Sequence, residues 1–278
     1  MKLSQMLLTK PNLVSVPIDF IIRAAQGKLH LPPLWLRDVG PTDFEATGQE
    51  FLSLFIQLAN LQPNEQILEI GCGCGRMALP LTHYLSQSGS YFGMDINQKA
   101  IIWCQQHIAS CYPNFQFWHA DLYNKRYNPN GRYQARNYRF PFEKESFDFI
   151  FLASVCTHLL PEDTENYLRE VGRLLHRNGR SVVTFFLLNE TQQLLANRGQ
   201  NAIDFKYGAG PYQTRSEITP ESAVAYDEVF LRQVITQCGL EIVEPIHYGT
   251  WSGRLDGLSY QDIVLLQPRS TNYKSKIS

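Results

Sequence analysis

From about Gln66 onward, short apolar runs alternate with amphipathic segments, the rhythm of a parallel sheet carrying helices on both faces. The runs Gln66–Ile70, Ser90–Asp95, Phe115–His119, Phe147–Leu152, Arg180–Leu187, Leu240–His247 and Gln261–Gln267 predict strands. Helices are predicted over Met77–Ser86, Gln98–Cys111 and Pro161–His176, the last stopped by Asn178 and Gly179. A further helix is expected to begin near Glu221, with Tyr226 on it. Between the last two strands, YGTWSGRLDGLSY has no helical period, so those strands pair antiparallel and a mainly parallel sheet ends in a hairpin. Upstream the pattern changes. Prolines 11, 17, 32, 33 and 41 interrupt the segment, while Phe51, Leu54, Phe55, Leu58 and Leu61 follow a helical spacing. The organisation is an N-terminal helical cap over residues 1–60 and an α/β domain over 61–270, with insertions at about 123–142 and 189–220.

The first strand runs into LEIGCGCGR, three glycines at alternate positions before a helix. Such a bend lets a ligand approach the main chain without meeting Cβ atoms. A dinucleotide fingerprint would place its third glycine at 76, where the chain has Arg76, which counts against NAD. Carboxylates surround the turn. Asp95 ends the second strand, where it can accept from both hydroxyls of a ribose; Asp121 lies just past the third, within reach of an adenine amine; Glu69 precedes the turn and can orient an amino group. Three acids suit a nucleoside with a positive end and repel a pyrophosphate.

Composition narrows the partners. With 44% hydrophobic and 18% charged residues, no long apolar stretch and no secretory leader pattern, the chain reads as a soluble cytoplasmic protein. A net charge of −1 offers no general attraction to nucleic acid or membrane. The six cysteines are scattered and form no CxxC pair, so reduced thiols and no metal are expected.

LEIGCGCGR, GMDIN, HADLYN, FPFEKESFDFIFLASVCTHL and LREVGRLLHRNGRSVVTFF together resemble the class I S-adenosylmethionine-dependent methyltransferases, over roughly Phe51–Gln267. The resemblance implies a doubly wound, mostly parallel seven-stranded sheet of order 3-2-1-4-5-7-6 with the last strand antiparallel. It also implies S-adenosyl-L-methionine as cofactor, bound at its methionine end by Glu69, Gly71, Cys72 and Gly73 and at its ribose by Asp95 with Ile96. Asp121 and Leu122 would take the adenine, and Ala153 and Ser154 would give backbone contacts.

Methyl transfer is an in-line displacement in which alignment of the nucleophile supplies much of the rate. A hydroxyl nucleophile gains further from a base, and His158, just past the fourth strand, is the candidate. Tyr226, His247, Trp251 and Arg254 are candidate substrate contacts, the last two in the glycine-rich loop between the final strands. The insertion at 123–142 interleaves Lys125, Arg126, Arg132, Arg136 and Arg139 with aromatics, a pattern that can grip RNA, though Glu143 and Glu145 follow closely. The [ND]PP[YF]-like motif of base amino-methylation is absent, with Ala153-Ser154-Val155-Cys156 in its place, and no Pro-Cys pair marks Cys156 as a nucleophile for cytosine C5. O-methylation of a small or medium organic molecule, such as a natural product or a sugar, is the expected activity. The alternatives are N- or C-methylation of a small molecule, RNA methylation, an NAD-dependent oxidoreductase and a noncatalytic relative.

Overall fold

The chain divides into two compact units, Met1–Asp121 and Leu122–Ser278. The computed structural model describes residues 15–37, 43–208 and 210–270. Pro11, Pro41 and the opening stretch lie outside them. Helix α1 (Ser15–Ala25) carries a buried ion pair, Arg23 Nη2 to Asp19 Oδ2 at 2.9 Å. Arg23 also donates to the Leu31 carbonyl, and Asp19 accepts from the Leu34 N–H, both at 2.8 Å, so the pair is hydrogen-bonded to the turn that follows. Such partners are what make a buried pair tolerable. Asp43 caps α2 (Phe44–Ala59) by accepting from Ala46 N–H, and Phe51, Leu54 and Phe55 form its buried stripe, as their spacing predicts.

Strands β1 (Gln66–Ile70), β2 (Ser90–Asp95) and β3 (Phe115–His119) pair in parallel, with Ile67 opposite Tyr91 and Tyr91 opposite Phe115. Helices α3 (Ala78–Tyr84) and α4 (Gln98–Cys104) connect them. Beyond Cys104 the predicted α-helix continues as a π-helical turn, Gln105–Ala109.

The second unit holds β4 (Phe147–Leu152), α5 (Pro161–Leu174), β5 (Leu175–Phe185), β6 (Leu187–Leu188), α6 (Glu190–Asn197), β7 (Tyr212–Thr214), β8 (Val224–Asp227), α7 (Glu228–Gln237), β9 (Leu240–His247) and β10 (Asp262–Pro268). The main sheet has seven strands in the order β3-β2-β1-β4-β5-β10-β9, and β10 runs antiparallel to both β5 and β9. The predicted α/β class, strand order and terminal hairpin are all present. A second sheet, β6-β8-β7, is not foreshadowed in the hydrophobic pattern.

Two local expectations fail. Helix α5 ends at Leu174, and Asn178 and Gly179 lie inside β5, where the register against β4 shifts between Phe147 and Phe149. A Cβ on Gly179 would sit 3.1 Å from the Asp148 carbonyl oxygen, so this glycine serves close strand approach and not a helix stop. No helix starts at Glu221. Pro220–Ser222 is one 3₁₀ turn, and Tyr226 stands on β8, whose Val224, Ala225 and Tyr226 are all buried. A run with no exposed face loses the alternation that distinguishes strand from helix. Asp227 then caps α7 through Phe230 N–H at 2.9 Å.

Asp262 pins the end of the second unit's sheet. Fully buried, its carboxylate accepts from Leu187 N–H (2.7 Å), Gly249 N–H (2.6 Å) and the Trp251 indole N–H (2.9 Å). Burial pushes its pKa up to about 6 against the pull of those three bonds. Among the described residues, no helix is long and apolar enough to cross a membrane. Asp262→Ala strands three buried donors and is expected to lower stability by about 3 to 5 kcal/mol, read as a fall in the denaturant midpoint; an unchanged midpoint contradicts this role.

Candidate active site

In the first unit the chain leaves β1 through Gly71, Gly73 and Gly75 at φ of 85°, 51° and 81°, the left-handed region that a side chain disfavours. Gly71 and Cys72 N–H both donate to the Met94 carbonyl, at 2.7 and 2.9 Å, tying the turn to the end of β2. Gly73 N–H donates to Asp95 Oδ2 at 2.7 Å, while Asp95 Oδ1 accepts from Asn97 N–H at 2.7 Å. Asn97 in turn caps α4 through Lys99 and Ala100 N–H. One carboxylate therefore sets two turns and keeps lone pairs for further donors. Burial raises the Asp95 pKa, opposed by the bonds from Asn97 and Gly73.

The glycines differ in purpose. A Cβ on Gly75 would come within 2.6 Å of Ile108 Cδ1 and 3.3 Å of Cys104 Sγ, so bareness there serves packing. A Cβ on Gly73 would meet nothing within 4 Å, leaving an open place beside the main chain. Glu69 is buried and accepts a hydrogen bond from the Tyr91 hydroxyl. Burial is the main cause that pushes its pKa up to about 8, while the Tyr91 bond and the charge of Arg76 pull it down. Cys72, expected at the cofactor, has a buried side chain whose Sγ lies 3.7 Å from the Gly73 carbonyl oxygen, so only its backbone lines the turn. The Ile96 carbonyl accepts from His119 Nε2 at 3.2 Å, and Asp121 follows β3, half-buried.

An open glycine, a carboxylate with unused lone pairs and a buried acid with no cation hydrogen-bonded to it among the described residues fit a ligand with ribose hydroxyls and an ammonium group. They do not fit a diphosphate. The residues that would hold S-adenosylmethionine in this unit are therefore Glu69, the Gly71–Gly73 backbone, Asp95 and Asp121.

In the second unit Leu122 is buried and bridges to Tyr133. Ala153 and Ser154 follow β4, and Ser154 stands at φ 61°, a left-handed backbone unusual for serine. Its N–H donates to Thr184 Oγ1 (2.7 Å), and Gln261 Oε1 accepts from both Ser154 Oγ (2.9 Å) and Thr184 Oγ1 (2.6 Å). Strain held by a specific network is characteristic of functional positions. His158 sits in the 3₁₀ turn Cys156–His158 with the Tyr127 ring edge-on at 5.4 Å. Its Nδ1 lies 2.8 Å from the Glu221 carbonyl oxygen. A carbonyl only accepts, so Nδ1 carries the proton and, in the neutral ring, Nε2 carries the lone pair.

The expected substrate contacts divide. Tyr226 is fully buried, its hydroxyl donating to Leu159 O (2.7 Å) and engaged with Thr164 Oγ1 (2.8 Å), so it is an internal post instead of a group on a helix facing a cleft. Trp251 packs edge-on against Phe186 at 5.0 Å and Phe205 at 5.5 Å in a buried cluster, with its indole on Asp262; it belongs to the core, not a rim. Arg254 lies over the Tyr248 ring at 4.4 Å and donates to Ser252 Oγ and Asn189 Oδ1. His247 is half-buried at the end of β9, opposite Ile263.

Sequence reading passed over Tyr91, Asn97, Thr184, Gln261 and the Glu221 carbonyl. Tyr91 alone left a trace, as a polar-tipped ring two positions before Gly93 in the strand Ser90–Asp95.

Residues 67–179 match a family model described as a methyltransferase domain. The tRNA N(3)-cytidine methyltransferase METTL2 of Gallus gallus is 27% identical over 140 residues, 49% of this chain and 34% of that protein. The curated relatives it matches extend further, the chain spanning 34% to 60% of their lengths. Among solved structures, the PH0226 protein of Pyrococcus horikoshii OT3 has a TM-score of 0.56 at 15% identity, covering 84% of this chain and 95% of that one. Magnesium protoporphyrin IX methyltransferase from Synechocystis PCC 6803, solved with bound SAH, has a TM-score of 0.50 at 15% identity, covering 96% and 92%. At these identities the structures share the fold.

Gly73→Ala is expected to fold with a loss of about 1 to 2 kcal/mol from its left-handed backbone, yet to weaken S-adenosylhomocysteine binding at least tenfold by calorimetry. Gly75→Ala should show the reverse emphasis, with the larger stability loss. Equal affinity of Gly73→Ala and wild type contradicts a ligand at the open glycine.

Proposed function

We propose that this chain, whose residues 67–179 match a methyltransferase-domain model, is a class I S-adenosylmethionine-dependent methyltransferase that transfers a methyl group to a hydroxyl of a small or medium organic molecule. When bound, S-adenosylmethionine supplies a methyl on a sulfonium centre, open to in-line displacement. The chain's own residues do the rest. Asp95 offers acceptor lone pairs to a ribose, the bare turn admits the ligand beside the backbone, and Glu69 orients its ammonium end.

The observation that carries the choice of oxygen is the His158 Nδ1–H bond to the Glu221 carbonyl. It fixes the tautomer in which Nε2 can take a proton from an incoming hydroxyl, a service that a neutral amine needs far less. Beside the two ends of this bond, Thr157 Oγ1, Glu221 Oε2 and Ser222 Oγ are buried with no hydrogen-bond partner among the described residues. Unpaired buried polar atoms are costly, and a polar acceptor molecule bearing several hydroxyls would satisfy them.

RNA is the second reading, favoured by the named activity of the Gallus gallus relative and by the basic insertion. Within the second unit, however, Lys125 donates to Ile218 O (2.7 Å), Arg126 lies over the Tyr127 ring (4.9 Å), and Arg136 pairs with Glu162 (3.1 Å). These commitments favour a wall over a phosphate-gripping surface.

Incubation with methyl-labelled cofactor and mass spectrometry should show label entering a hydroxylated metabolite; preferential labelling of tRNA overturns this reading. With that acceptor, His158→Ala is expected to lower kcat by about 10²- to 10⁴-fold, whereas unchanged kcat removes His158 as the base.

A further inference from the structure

Glu69 lies on the face of the sheet that also carries Ile67, Tyr91, Gly93, Phe115 and Phe117, since residues paired in a parallel register and residues two apart share a face. Gly93 is the direct partner of Glu69, and its missing side chain is required. A Cβ there would stand 2.9 Å from Phe117 Cδ1 and 3.0 Å from Cys72 Sγ. Over that gap the Tyr91 hydroxyl reaches diagonally to Glu69 Oε2. The Tyr91 ring is held by Phe115 stacked at 5.0 Å and Phe117 at 5.6 Å, and Tyr91 is itself fully buried. Its hydroxyl is thus delivered to one place by packing, and among the described residues it is the hydrogen-bond partner of Glu69.

We propose that Tyr91 is a positioning residue for the cofactor's ammonium end: its hydroxyl fixes the carboxyl of Glu69, a buried acid that is neutral in the unliganded protein and gives up one proton when the ligand binds. This rests on the cofactor reading given above. A buried acid whose hydrogen-bond partner among the described residues is a phenol has no cation hydrogen-bonded to it there to compensate ionisation, so burial favours the protonated form. Burial and the nearby Asp95 charge disfavour ionisation of Glu69, while the Tyr91 bond and the charge of Arg76 oppose them. The pKa of Glu69 accordingly stands at about 8, above the ordinary carboxylate range, with burial its main cause.

When the ammonium arrives, Glu69 loses its proton to solvent and the carboxylate pairs with the cation. Tyr91 keeps its own proton, since burial holds the phenol well above its ordinary value, and continues to donate to Oε2. The sign follows from linkage. The unliganded protein gains stability from the protonated acid, fully below the ordinary carboxylate range and lost as pH rises through about 8. Ligand affinity runs the opposite way, rising with pH toward about 8, and it falls again once the ligand's own ammonium loses its proton.

The test is calorimetry of S-adenosylhomocysteine binding to the full chain, near neutral pH, in buffers of contrasting ionisation enthalpy. Wild type should release close to one proton per ligand, and Glu69→Gln should release none. Tyr91→Phe, lacking the donor that favours the carboxylate, should bind about tenfold more weakly, with the pH at which release ceases moved upward. Buffer-independent heats for wild type, or a Tyr91→Phe variant with unchanged affinity and pH profile, overturn the inference while leaving the cofactor reading intact. Failure of wild type to bind the ligand at all overturns both. Should Tyr91→Phe not fold, the comparison of wild type with Glu69→Gln still decides whether the proton leaves Glu69.

Discussion

The hydrogen bonds made by the Asp95 carboxylate are the constraint from which the first unit's site follows. One oxygen takes Gly73 N–H and the other takes Asn97 N–H, each at 2.7 Å. The glycine turn after β1 and the cap of α4 are thereby fixed by one side chain, and the backbone at Gly73 is held open with no side chain over it. A carboxylate at the end of a parallel strand, beside a helix start and a bare turn, is a place for hydroxyl groups and a cation. It is a poor place for phosphates, which it repels. Glu69 extends that preference toward the end of β1.

The second unit uses buried polar bonds in the same way. Asp262 gathers three donors from β6, the Gly249 turn and Trp251, while Gln261, its neighbour, gathers the hydroxyls of Ser154 and Thr184. Adjacent residues at the start of β10 therefore secure the core under the last hairpin and the strained Ser154 backbone. Low-dielectric networks of this kind are strong when complete and costly when broken. The unpartnered Thr157, Glu221 and Ser222 atoms around the His158 turn are the incomplete counterpart.

Most of the sheet was legible because its strands are short apolar runs separated by amphipathic helices, and the missing crossover helix exposed the terminal hairpin. Five of the seven main-sheet strands have the bounds read from the pattern: Gln66–Ile70, Ser90–Asp95, Phe115–His119, Phe147–Leu152 and Leu240–His247. Gly179 misled because a glycine that permits close strand approach looks like one that ends a helix. Tyr226 and Trp251 misled because aromatics with polar tips suit both a substrate rim and a buried hydrogen-bonded core, and only the tertiary partners, Leu159 and Asp262, decide between them. The candidate base was legible as a residue, but its tautomer depends on a carbonyl 63 positions away in sequence. Tyr91 was hidden for the same reason, its meaning lying in a diagonal across two strands.

The central claim is that the bare turn governed by Asp95 receives an adenosyl sulfonium cofactor. The most direct measurement is a crystal structure of the protein with S-adenosylhomocysteine. The expected result places the ribose hydroxyls on Asp95, the ligand against Gly73 and its amino group toward Glu69. A ligand seated elsewhere, with the turn and Asp95 left in contact only with water, contradicts it.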